Sequence, residues 1–222
     1  MDNIKFDLDR LGVIDDDMIK KYIDELEYSI IKKQIDAIEP IDFGSPMNIL
    51  LISDRLLGCA KGLKEYLQSN PSITVDLVNT SADAVRIIRG NSIDFLIIVG
   101  LLKDETDYNV VKFFKRVNKY SGIIFYALLD NAIKDLCKKY VIDYTYDRRR
   151  LPDNLCFLMK GAYLCESMRI QDVYPNVTLE QTKEIRLQIR REVLKDIIRS
   201  EAEQPQKKCL GIIAALLRYL GL

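Results

Sequence analysis

The sequence predicts an α/β domain: a five-stranded parallel sheet, doubly wound, with an N-terminal helix and a C-terminal helical extension. Two observations carry this. Between residues 47 and 150, five short β-rich runs alternate with four helix-length stretches. Three of those runs are almost wholly apolar, as strands covered on both faces must be.

Residues 1–46 read as a helical arm and linker. The acidic run at 15–17 suits a helix start, where negative charge meets the positive end of the macrodipole. Ile19, Tyr22, Ile23, Leu26, Ile30 and Ile31 follow at helical spacing, with Ile35 and Ile38 beyond. "EPIDFGSP" (39–46) holds two prolines and a glycine and breaks the pattern.

Residues 47–150 form the sheet domain. The predicted strands are "NILLIS" (48–53), "ITVDLV" (73–78), "DFLIIV" (94–99), "GIIFYAL" (122–128) and "VIDYTY" (141–146). The first, third and fourth are central by their apolarity, and Asp76 marks the second as an edge. Helices are predicted at 55–69, 81–90, 107–119 and 130–139, with turns at "SNPS" (69–72) and "RGNS" (89–92).

Residues 151–222 read as helical. Pro152 suits the first turn of a helix, where its missing N–H costs nothing. Thr178 and Gln181 have capping-box spacing for a helix running to about 202. "EQPQKK" is expected to break that helix before a final apolar one.

Composition narrows the function. Lys plus Arg and Asp plus Glu number 33 each, so no uniform field draws the whole surface to nucleic acid, though a local basic patch can. The absence of histidine removes the commonest general base and zinc ligand. Five cysteines, none spaced C-x-x-C, read as reduced, mostly buried thiols in a cytoplasmic protein. The charged start is no signal peptide, and no apolar run reaches the roughly 20 residues of a membrane span.

At the strand ends the pattern resembles a bacterial response-regulator receiver domain, over residues 47–147. The resemblance implies a flavodoxin/receiver-like fold and a site at the C-terminal edge of the sheet, where open α/β sheets bind ligands. In that family an acidic pair after the first strand holds magnesium; here it falls on Ser53 and Asp54. The phosphoacceptor aspartate falls on Val99, followed by Gly100. The switch hydroxyl falls on Ala127, and the phosphate-pairing lysine on Asp147. Asp54 alone matches, as a residual acidic site. The resemblance therefore implies a pseudo-receiver that cannot be phosphorylated, because an alkyl side chain accepts no phosphoryl group.

Other stretches compete for chemistry. "GCAKGLK" (58–64) lacks phosphate-loop spacing, and its leucines follow a helix period. Cys59 lies inside that helix rather than in a strand-end loop, which suits a buried thiol better than a nucleophile. Arg148, Arg149 and Arg150 could contact an anion or a nucleic-acid backbone, with Lys138 and Lys139 extending the patch. Residues 183–199 form an amphipathic helix whose stripe of Ile185, Ile189, Val193 and Ile197 could face its own domain, a partner or a second copy. The apolar stretch at 209–222 lacks the polar face of a membrane-surface anchor and suits burial or a protein plug.

The reading that joins these features is a non-enzymatic regulatory or scaffold protein with no cofactor. It would use a receiver-like core and helical arms for protein–protein interaction and dimerisation. One alternative is a transcription or nucleic-acid-binding factor using Arg148–Arg150 and the basic 183–199 helix. Another is a magnesium enzyme built on Asp54 and Asp104.

Overall fold

The computed structural model describes residues 45–150 and 152–219, those at 152–153 and after 201 as backbone alone. The expected N-terminal helix lies outside the described residues. Five strands are present: β1 (Met47–Ile52), β2 (Ile73–Val78), β3 (Phe95–Val99), β4 (Gly122–Ala127) and β5 (Tyr144–Asp147). They form one parallel sheet in the order β2-β1-β3-β4-β5. Helices α1 (Leu57–Gln68), α2 (Ser81–Gly90), α3 (Asn109–Val117) and α4 (Asn131–Tyr140) connect them. Helices α5 (Pro152–Val173) and α6 (Leu179–Tyr219) follow. The predicted α/β class, parallel sheet and central strands hold, and β2 with Asp76 is an edge.

The period of two along each strand divides the core into two layers. Phe95, Ile97 and Val99 point to one face, where Leu63 and Leu67 of α1 meet Leu155 and Met159 of α5. Leu96 and Ile98 point to the other, against Ala84 and Ile88 of α2 and Val111 and Phe114 of α3. Burial on both faces is why β3 and β4 read as unbroken apolar runs. Gly122 opens β4 because a Cβ there would lie 2.5 Å from the buried Phe95 ring.

Three local differences have physical causes. The last strand begins at Tyr144 rather than 141, because α4 ends on Val141 in the left-handed region (φ 55°) and Ile142 N–H closes back on the Cys137 carbonyl at 2.9 Å. A β-branched residue gives no sequence signal for such a cap. The helix expected at 107–119 is a 3₁₀ turn, Glu105–Tyr108, leading into α3. The expected break at 203–208 is absent: α6 runs through Pro205. A proline removes one helical hydrogen bond, and the Glu, Ala, Gln and Lys residues around it are strong helix formers.

The capping box of α6 forms as expected. Thr178 N–H donates to Gln181 Oε1 at 2.9 Å, and Gln181 N–H donates to Thr178 Oγ1 at 3.3 Å. Helix α5 is part of the sheet's own packing, since Leu155, Cys156, Met159 and Ala162 lie in the first core layer.

Candidate functional site at the C-terminal sheet edge

The loops after β1, β3, β4 and β5 meet at the C-terminal edge of the sheet. Ser53 is fully buried; its hydroxyl donates to the Val99 carbonyl at 3.0 Å and accepts the Leu56 N–H at 3.2 Å. This ties the β1 loop to the end of β3. Val99 and Ala127 point inward and present no polar atom. Gly100 has φ +76°, and a Cβ there would lie 2.7 Å from Leu56 Cδ1. The leucine side chain therefore covers the backbone that follows β3.

Asp147 closes the far side. It accepts from Arg149 Nε at 2.9 and 3.1 Å, from Arg149 Nη2, and from the Arg149 backbone N–H at 3.0 Å. These hydrogen bonds hold its carboxyl well below the ordinary range, at about 2.

Asp54 lies in a separate hollow with Asp104, Asp107, Thr80, Ser81 and Lys103. Burial pushes its carboxyl up, a backbone hydrogen bond from Lys103 opposes the shift, and Oδ1 is buried without a hydrogen-bond partner. Asp107 is already engaged, by the Ser81 hydroxyl and by Asp104 N–H at 3.2 Å. Asp54 and Asp104 thus come together, as the magnesium-enzyme reading requires. Among the described residues, however, no group of three or more His, Cys, Asp or Glu side chains could hold a metal ion.

The three arginines diverge. Arg149 binds Asp147, Arg150 is exposed, and half-buried Arg148 lines an apolar hollow with Leu56, Leu101 and Leu128. Lys138 and Lys139 pair with Asp135 and Glu105. Cys59 is buried in α1 among core residues, as are Cys137 and Cys156 in their helices, while Cys165 is exposed.

The stripe on α6 is also divided. Ile197 is buried in the second core layer, with Val193 and Leu194 half-buried against it; Ile185 and Ile189 are half-buried. Ile197 and Val193 therefore face their own domain. The basic face of this helix is used in the same way. The Arg190 guanidinium donates to the carbonyls of Ile88, Arg89 and Asn91 at 2.8, 3.0 and 2.8 Å, capping the end of α2. Arg186 stacks 4.4 Å over the Tyr163 ring and donates to Ser167 Oγ at 2.7 Å. Lys183 donates to the Pro46 carbonyl at 2.7 Å. Sequence periodicity shows that such a helix is amphipathic, but it cannot show that the end of α2 lacks a cap of its own.

No protein-family model and no curated protein matches this chain. Solved structures do. A signal receiver domain of an HD domain-containing protein from Pseudomonas fluorescens Pf-5 superposes with a TM-score of 0.50 at 12% identity, over 61% of this chain and 98% of that one. A CheY-like response regulator receiver domain from Methanospirillum hungatei JF-1 gives 0.49 at 13% identity, over 56% of this chain and 99% of that one. The chain thus contains an α/β domain with a receiver-like fold. Among the described residues no helix is long and apolar enough to cross a membrane.

Proposed function

We propose that this chain is a non-enzymatic regulatory or scaffold protein whose receiver-like domain takes up no phosphoryl group and works through protein–protein contact. The observation that carries this reading is the apolar closure of the sheet edge. Val99 stands where a phosphoacceptor would, Leu56 covers Gly100, Ala127 offers no hydroxyl, and Asp147 is bound by Arg149. What that edge exposes includes an apolar hollow with Leu101 and Leu128, both 44% exposed, lined also by Arg55, Arg148 and Asp130. Such a patch suits a protein partner that presents an apolar side chain.

The nucleic-acid reading is weakened because Arg149, Arg186 and Arg190 already serve intrachain contacts. The test is incubation of the full chain with magnesium and a small acyl phosphate, followed by intact-mass measurement. An unchanged mass is expected. A stoichiometric phosphoryl adduct would overturn the reading.

A further inference from the structure

Helix α6 meets the N-terminal edge of the sheet and closes a small hollow against the turns that lead into β3 and β4. Ser92 and Asp94 line it from the first turn, Asn118 and Ser121 from the second, and Lys183 and Arg186 from the helix. The backbone ties the two turns: Gly122 N–H donates to the Asp94 carbonyl at 3.2 Å, and Ser121 N–H to the Asn118 carbonyl at 3.1 Å. The hollow has a volume of about 10 Å³. That is room for one water-sized particle and too little for a phosphate or a sulfate.

Two of the lining side chains bring donors that meet no acceptor. Asn118 is 6% exposed, and its Nδ2 is buried without a hydrogen-bond partner. Arg186 Nε is buried in the same way, although Nη2 donates to Ser167 Oγ and the Tyr163 carbonyl at 2.7 and 3.2 Å. Buried donors left unmet lose their hydration and gain nothing in return. Asp94 supplies an acceptor. Its Oδ2 takes the Asn48 N–H at 2.8 Å, and among the described residues no hydrogen bond uses Oδ1. Among those residues Asp94 and Arg186 form no direct ion pair, although each feels the other's charge.

We infer that this hollow is a binding site for one ordered water, which accepts from Asn118 Nδ2 and Arg186 Nε and donates to the Asp94 carboxylate. Three partners are the usual number for a buried water. The water turns Arg186 and Asp94 into a bridged pair and joins α6 to the turns before β3 and β4. A halide could meet the same two donors. It would also stand against the Asp94 carboxylate, to which water can donate and a halide cannot. The Lys183 ammonium, which would favour the halide, is engaged by the Pro46 carbonyl at 2.7 Å.

The test is a pair of water-selective NOE and ROE measurements on the ¹⁵N-labelled full chain, read at the Asn118 side-chain amide and at the Arg186 Nε–H. A water held beside these protons gives cross-peaks whose sign changes between the two experiments; chemical exchange with solvent gives peaks that keep their sign. Sign-changing peaks are expected at both groups. Asn118→Leu removes one donor and fills part of the hollow, so it is expected to abolish the peak at Arg186. The parent measurement decides by itself if that variant fails to fold. Absence of a sign-changing peak at either group in the parent chain would overturn the inference, as would a peak at Arg186 that persists in folded Asn118→Leu. A urea midpoint that rises when chloride replaces gluconate at constant ionic strength, in the parent and not in Asn118→Leu, would also overturn it by assigning the hollow to an anion.

Discussion

Two aspartates at opposite edges of the sheet pull stability in opposite directions with pH. Asp147 has its carboxyl lowered to about 2 by Arg149, against an ordinary value of 3.8. As pH falls, the unfolded chain takes up this proton first. The stability from the ion pair is therefore complete above about pH 4 and is lost as pH falls towards about 2. Asp94 begins the approach to β3 and accepts the Asn48 N–H at 2.8 Å. Its carboxyl is raised above 3.8 by burial, so its contribution is greatest at low pH and declines as pH rises through that range. Asp147→Asn is expected to flatten the acid limb of the stability curve between pH 4 and 2, read from urea midpoints. An unaltered limb would show that the pair with Arg149 does not persist in solution.

At the scale of elements, the third segment of the chain departs most from a set of free arms. Helix α5 supplies a core layer, and α6 is fastened under the sheet by Lys183, Arg186 and Arg190 and at Glu201, whose two oxygens meet Arg89 at 3.0 and 2.6 Å. Arg190 is the clearest of these fastenings because it is 9% exposed and serves three carbonyls at once. Arg190→Ala leaves those carbonyls without their charged donor and is expected to cost about 2–3 kcal/mol in urea unfolding. Arg190→Lys should recover part of the loss, since all three carbonyls meet one nitrogen, Nη2, and the ammonium of the shorter lysine supplies donors from a single nitrogen but reaches less far. The sequence made the strands legible because burial on both faces writes an unbroken apolar run, as in "FLIIV". It made the α6 start legible because Thr178 and Gln181 are neighbours along the chain. The role of Arg190 was hidden because its partners lie about a hundred residues away. The left-handed cap at Val141 was hidden because the residue type argues against it.

For the whole molecule, the α/β architecture places the loops after β1, β3, β4 and β5 at one edge and fills that edge with Val99, Leu56, Ala127 and the Asp147–Arg149 pair. The apolar residues at those positions were readable one by one. The cover that Leu56 forms over Gly100 was not, because it depends on a positive φ and on a contact between loops distant in sequence. We propose that this edge binds no phosphoryl group. The most direct measurement is calorimetric titration of the full chain with magnesium and beryllofluoride, which mimics a bound phosphoryl group. No saturable heat is expected. A saturable heat that disappears in Asp54→Ala would contradict it and would mean that the residual acid still organises a working site.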